Sequence, residues 1–186
     1  MNRRELIVAF GGAGALLATV SPEQLWARSK ALHRRPGQPL GPFSPHQAET
    51  VSRIAELILP RTDTAGALEA GVPEFIAVIV GEWYLPEDKA LMLADLEDVD
   101  TRSRQRWSRD FIALAEPEQV ELLTTLDGEL QAMKQRKEST SKNFFQRIKG
   151  LTLYGYYTSE AGMKEELQYV AIPGRYDPCS PVRPPR

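Results

Sequence analysis

The chain has 186 residues, of which 42% are hydrophobic and 26% are charged, and its formal net charge is −2. These values are ordinary for a soluble globular protein with one hydrophobic core, and the lack of excess basic charge argues against nucleic acid as a partner. One cysteine, Cys179, and two histidines, His33 and His46, are too few for a haem c attachment motif, an iron–sulfur cluster or a histidine-rich metal site in this chain. We therefore expect this chain to bind no cofactor and no metal, and to have no catalytic residues of its own.

The first residues form a pattern typical of an export signal. Arg3-Arg4 precedes an uncharged, mostly apolar stretch over residues 6–20, as in leaders that the twin-arginine machinery recognises when it exports folded proteins. We interpret residues 1–27 as a signal segment of this type. Asn2 stands where Ser or Thr is usual, and no basic residue follows the apolar pair, so the general secretory route stays open as an alternative.

Two other interpretations of this stretch are weaker. Gly12-Ala-Gly14 after an apolar run resembles a dinucleotide-binding turn, but Leu17 stands where a third small residue is needed, and residues 32–35 contain no acidic residue. A membrane anchor needs about 20 strongly apolar residues, whereas the uncharged run has 15. A signal segment accounts for the pattern better than either.

Residues 28–44 are predicted to be a proline-rich linker. Prolines recur at every third position, the period of the polyproline II helix, which favours an extended and rather stiff spacer over a ligand for an SH3-like domain. The recurring residues are Pro36, Pro39, Pro42 and Pro45.

Residues 45–172 are predicted to be a helical domain. Ser44-Pro45-His46-Gln47 has the form of a capping box with proline at the first helical position, and Pro60 ends that helix. A short second helix is predicted from Pro73 to about Tyr84, although its composition also suits a buried strand. The first helix presents one apolar face, made of Val51, Ile54, Ala55 and Ile58.

Three longer helices are predicted to follow. The third begins at Pro86, the fourth at Pro117, and the fifth follows a polar break at residues 137–142. Apolar residues spaced three and four apart predict buried faces on the last two helices: Val120, Leu123, Leu126, Leu130 and Met133, then Phe144, Ile148 and Leu151. The predicted fold class is all-α, an irregular bundle of about five or six helices with an extended, proline-rich C-terminal tail at residues 173–186.

The third helix carries acidic residues early and arginines late. This order matches the helix macrodipole, and a solvated helix end is our preferred interpretation. The sharper alternative is a phosphate-binding patch on one face, formed by Arg102, Arg106 and Arg109.

Two segments carry a resemblance to a known family. Residues 59–75 read LPRTDTAGALEAGVPEF, and residues 151–177 read LTLYGYYTSEAGMKEELQYVAIPGRYD. Together they resemble the small subunit of gluconate 2-dehydrogenase, also called subunit 3, and the resemblance spans about residues 45–182. Ala65 departs from the proline that often follows this Thr-Asp-Thr. Asp63 within it is a candidate catalytic acid, but a turn or cap is the more ordinary role for such an aspartate.

The resemblance implies a role without catalysis by this chain. Members belong to periplasmic complexes held at the cytoplasmic membrane, in which a large subunit with FAD oxidises a sugar or sugar acid and a multihaem cytochrome c subunit usually takes the electrons. The small subunit stabilises the flavoprotein and escorts it through twin-arginine export. A stand-alone periplasmic binding protein and, less favoured, an independent periplasmic enzyme are the alternatives.

The tyrosine-rich segment suggests where the large subunit binds. Tyrosine combines a large apolar ring with a polar tip, which suits protein interfaces. The candidate interface residues are Tyr154, Tyr156, Tyr157, Arg175 and Tyr176. We expect the tail to lie along the partner, and Cys179 is a candidate for an intersubunit disulfide.

Overall fold

The computed structural model describes residues 41–170 and residue 174. The chain divides into two units, Met1–Gln38 and Pro39–Arg186, and the described residues belong to the second. The predicted signal segment, most of the linker and nearly all of the predicted tail lie outside the described residues, including Arg3, Arg4, Arg175, Tyr176 and Cys179.

Five α-helices lie within residues 41–170, and no strand occurs among these residues. Three short helical turns complete them: a π-turn at Ile79–Trp83 that continues the second helix, a 3₁₀ turn at Phe111–Ala113 and a π-turn at Gly162–Glu166. The all-α prediction is confirmed, and residues 72–83, which also suited a strand, are helical. The helices are α1 Pro45–Ile58, α2 Val72–Val78, α3 Pro86–Trp107, α4 Glu116–Gln135 and α5 Phe144–Thr158.

Proline and polar caps set the beginnings of the helices. Ser44 caps α1 through its hydroxyl, which accepts from the Gln47 amide at 3.2 Å, while Gln47 Oε1 accepts from the Ser44 amide at 3.0 Å, so the predicted capping box is confirmed. Each of α1 to α4 carries proline in its first turn, where the missing N–H costs no helical hydrogen bond. Asn143 caps α5 by accepting from the Gln146 amide at 2.9 Å.

The core lies where the inward faces of all five helices meet. Its members are apolar side chains that the helical periodicity turns to one side, among them Val51, Ile54, Ile76, Met92, Leu96, Leu126, Leu130 and Ile148.

The predicted apolar stripe of α4 was wrong at its first position. Val120 is 44% exposed, because α4 turns its neighbours Gln119, Leu122 and Leu123 inward. Leu122, which lay outside the predicted stripe, is a core residue, whereas Met133 is only partly buried.

Helices α2 and α5 run antiparallel in close contact. The Phe75 ring of α2 lies against Gly155 of α5, near the C-terminal end of α5. Arg147, near the N-terminal end of α5, donates at 3.4 Å to the carbonyl of Asp88 in the first turn of α3, which follows the π-turn that continues α2. Glycine lets the two helices approach closely because it has no Cβ. Within residues 41–170, no helix combines the length and the apolar run that crossing a bilayer requires.

Replacing Gly155 by alanine should destabilise the fold. The added Cβ would lie 2.7 Å from Phe75 Cδ1 and 3.3 Å from Cγ, so the ring or the helix must move. We expect Gly155→Ala to lower the free energy of unfolding by about 1–3 kcal/mol, measured by urea denaturation followed by circular dichroism.

The same helix supplies the control. A Cβ at Gly150 meets nothing within 4 Å, so Gly150→Ala should raise the free energy of unfolding by about 0.5–1 kcal/mol through helix propensity alone. Equal effects of the two substitutions would contradict the close packing of Phe75 on Gly155.

Candidate partner-binding surface

The two segments that carry the family resemblance meet in space, although 76 positions separate residues 75 and 151. The Ala65 amide donates to Glu165 Oε2 at 3.2 Å, and the Phe75 and Tyr154 rings lie 5.8 Å apart between centroids. The two segments therefore form one continuous region of the structure.

The loop after α1 is held in shape by one carboxylate. Glu56 accepts from the Arg61 amide at 3.3 Å and from the Leu68 amide at 3.0 Å. Gly66 lies against this arrangement, and a Cβ there would lie 2.7 Å from the Arg61 nitrogen. Glu56 thus joins the two ends of the loop through hydrogen bonds to the loop backbone.

Asp63 occupies an exposed turn in this loop. The Thr62 hydroxyl donates to Asp63 Oδ1 at 3.0 Å, and the Thr62 amide donates to the Thr64 carbonyl at 3.2 Å. This geometry favours the turn interpretation over a catalytic acid.

The three neighbouring tyrosines of α5 have different environments. Tyr156 is only 2% exposed and lies in the core; burial raises its pKa, and a hydrogen bond with Thr64 acts in the opposite direction. The Tyr157 hydroxyl donates to Glu166 at 2.9 Å, and this bond raises its pKa. Tyr154 alone presents most of its ring, 63%, to solvent. Of the three, Tyr154 is best placed to bind a partner, while Tyr156 contributes to packing.

Exposed apolar side chains also occur on α2, on the π-turn that continues it and just before α3. Trp83 is 75% exposed and Leu85 is 60% exposed, and Val78 is also exposed. We call these four residues, Val78, Trp83, Leu85 and Tyr154, the α2–α5 face. Sequence analysis missed Trp83 and Leu85, because it treated residues 73–84 as one regular helix. The π-turn at Ile79–Trp83 adds a residue to that helical turn, and such bulges are frequent at functional sites.

A polar cluster lies beneath one end of this face. Arg147, whose side chain is 11% exposed, forms an ion pair with Asp95 and also reaches the Asp88 carbonyl. Burial raises the pKa of Asp95, although Arg147 opposes that rise. Burial also raises the pKa of Tyr84, and the nearby positive charge of Arg147 acts in the opposite direction. This cluster joins α3 to α5 under the chain segment that exposes Trp83.

The arginines near the end of α3 are all engaged in ion pairs. Arg102 contacts Asp98 at 2.7 Å and Glu129 at 2.8 Å, Arg106 pairs with Glu121, and Arg109 contacts Glu118 at 3.0 Å. Arg109 lies beyond the helix, since Ser108 ends α3 with a φ of 57°. The predicted shared face of Arg102, Arg106 and Arg109 was therefore wrong at Arg109, and the ion pairs favour the solvated helix end over a phosphate patch.

One pair of ionisable residues escaped sequence analysis. His46 Nε2 lies 2.6 Å from Asp100 Oδ2, and Asp100 Oδ1 accepts from the Phe111 amide at 2.9 Å. Asp100 is only 3% exposed, and its hydrogen bond to His46 raises the histidine pKa. Fifty-four positions separate the two residues, so no local pattern could indicate them. Within residues 41–170, no group of three or more His, Cys, Asp or Glu is arranged to hold a metal ion.

Comparison with known families gives one match. A family model described as gluconate 2-dehydrogenase subunit 3 matches residues 45–174, which is most of the chain and includes residues 59–75 and 151–174 of the two segments. Searches of curated proteins and of solved structures gave no match.

The His46–Asp100 pair should make stability depend on pH. The folded pKa of His46 is raised above its unfolded value of 6.5. Stabilisation by the charged pair is therefore complete below about pH 6.5 and is lost as the pH rises through the higher folded pKa. We expect His46→Gln to lower the free energy of unfolding more at about pH 5.5 than at about pH 8.5, measured by urea denaturation.

Asp100→Asn is the matched variant. Its amide oxygen still accepts from the Phe111 amide, but the charge opposite His46 is gone. It should abolish the same pH dependence, and a pH dependence that survives in Asp100→Asn would show that another group causes it.

Proposed function

Because the chain belongs to the gluconate 2-dehydrogenase subunit 3 family, we propose that it is a non-catalytic accessory subunit of a flavin-dependent dehydrogenase that oxidises gluconate or a related sugar or sugar acid. The observation that carries the proposal is the α2–α5 face, where both segments that resemble the family converge beside exposed aromatic rings. Large exposed aromatic side chains are typical of binding surfaces. The chain's contribution is to bind and stabilise the flavoprotein.

We assign the flavin to the partner rather than to this chain. The two described cavities have volumes of about 390 and 240 Å³, and side chains of helices and connecting loops line them without any glycine. A dinucleotide pyrophosphate needs a glycine-rich turn that lets backbone amides approach it. The absence of such a turn among the lining residues supports placing FAD in the partner, and a haem c would belong to a separate cytochrome subunit.

We further propose that the complex works in the periplasm at the cytoplasmic membrane, and that the signal segment of this chain exports it. Arg3-Arg4 supports this proposal, since the twin-arginine machinery accepts folded proteins. A folded flavoprotein that binds this chain in the cytoplasm needs no leader of its own. Stabilisation and export then depend on the same binding event.

Co-purification tests the accessory role. An affinity tag inserted at the exposed Ser139, in the polar segment between α4 and α5, leaves both termini and the α2–α5 face unchanged. We expect the tagged chain, isolated from its native host, to retain a flavoprotein with gluconate or sugar dehydrogenase activity, and the chain alone to have none. Activity in the chain alone would favour an independent enzyme. A monomer that retains a small ligand and no flavoprotein would favour the stand-alone binding protein.

Substitution of the arginine pair tests the export role. Arg3→Lys with Arg4→Lys keeps the positive charge but removes the paired guanidinium groups. We expect the flavoprotein then to remain in the cytoplasm, measured as dehydrogenase activity in periplasmic and cytoplasmic fractions. The matched control is Arg34→Lys with Arg35→Lys in the linker, which should leave export unchanged. A flavoprotein that reaches the periplasm with the leader substituted would rule out the escort role.

A further inference from the structure

The four residues of the α2–α5 face lie on chain segments that pack side by side. Tyr154 lies beside Phe75 of α2, and Arg147, two turns earlier on α5, lies near Tyr84 and Asp88. Val78 falls between Phe75 and Tyr84 in the chain, and Trp83 and Leu85 directly flank Tyr84. This order along the two packed segments is the basis for treating the four exposed residues as one apolar surface. A contiguous apolar surface marks an interaction site, whereas single exposed apolar side chains do not.

Unpaired carboxylates border this face. Exposed Glu82 and Glu87 flank Trp83 and Leu85, and neither has a cationic partner among the described residues. By contrast, every arginine in residues 41–170 is ion-paired. Residues 41–170 contain 22 acidic residues against 14 lysines and arginines, a net charge of −8. The chain has no spare arginine of its own in these residues to neutralise this border.

Two buried polar atoms on α2 and α5 also lack a hydrogen-bond partner within the chain. They are Glu74 Oε2 on α2 and Arg147 Nε on α5, and they are the two such side-chain atoms found among the described residues. Buried polar atoms are nearly always hydrogen-bonded in folded proteins. These two atoms are therefore left for water or a partner to satisfy.

We propose that the α2–α5 face docks onto the dehydrogenase subunit, which offers an apolar pocket for Trp83 and a rim of lysine or arginine side chains for Glu82 and Glu87. This inference rests on the proposed function and specifies its interface. Tryptophan is among the residues that most often dominate binding energy. Charge complementarity at the rim sets orientation and association rate.

The charge on the border argues against the other occupants. In a twofold dimer of this chain, the same patch meets its own copy, so Glu82 and Glu87 would face like charges. An anionic membrane surface would repel them for the same reason. A basic protein surface is the occupant that this charge favours.

Gly150 provides a way to block the face without damaging the fold. It lies on the exposed side of α5 between Arg147 and Tyr154, and a Cβ there meets nothing within 4 Å. Gly150→Arg therefore adds bulk and a positive charge where the proposed partner approaches. The matched control is Gly128→Arg on α4, another exposed helical glycine whose Cβ also meets nothing within 4 Å.

The experiment compares flavoprotein retention by purified, tagged variants with confirmed helical content and unfolding midpoint. We expect Gly150→Arg and Trp83→Ser each to weaken binding on the order of 30-fold or more, while Gly128→Arg binds as wild type. Glu82→Lys with Glu87→Lys should weaken binding and reduce its salt dependence, whereas Glu49→Lys, an exposed charge change on α1, should do neither.

The outcomes separate the two proposals. A wild-type chain that retains a flavoprotein, with Gly150→Arg and Trp83→Ser retaining it equally well, overturns this inference and leaves the proposed function standing. A wild-type chain that retains no flavoprotein contradicts the proposed function and this inference with it. A homodimer of the wild-type chain that Gly150→Arg dissociates in size-exclusion chromatography would assign the face to a second copy and overturn the inference.

Discussion

The contact between Phe75 and Gly155 is the constraint on which the rest of this region depends. Any residue other than glycine at position 155 would place a Cβ 2.7 Å from the Phe75 ring. The missing side chain lets α2 and α5 lie close together in antiparallel orientation. That orientation brings Ala65 to Glu165 and Tyr154 to Phe75, so two distant segments of the chain form one surface.

The distribution of charge divides the structure into two kinds of surface. Near the end of α3, the arginines form ion pairs with carboxylates of α3 and α4. Because these opposite charges are paired, that side has no free cationic patch. Such exposed pairs contribute little stability individually. Beside the α2–α5 face, Glu82 and Glu87 have no ion pair among the described residues. Their chain neighbours Trp83 and Leu85 are exposed and apolar. The charges of the first surface are already paired within the chain, whereas those of the second are available for ion pairs with a partner.

The helical architecture was largely predictable because its signals are local. Prolines at positions 45, 73, 86 and 117 mark helix beginnings, since a residue without an N–H fits only the first turn. The exposure of individual side chains in the candidate interface was not predictable. Tyrosine clustering singled out residues 154–157, but neighbouring tyrosines on a helix point in different directions. Tyr156 therefore lies in the core while Tyr154 is exposed.

The sequence by itself determined the all-α class, the starts of the helices, the family resemblance and the absence of a haem c attachment motif, because these depend on residue type and short spacing. Only the tertiary structure decided which apolar residues remain outside the core. Val120 and Trp83 have the composition of core residues, yet the rotation of α4 and the extra residue of a π-turn place them in solvent. The pairing of His46 with Asp100 likewise depends on how α1 packs on α3. Such contacts arise from the relative rotation and approach of whole helices, which no local pattern specifies.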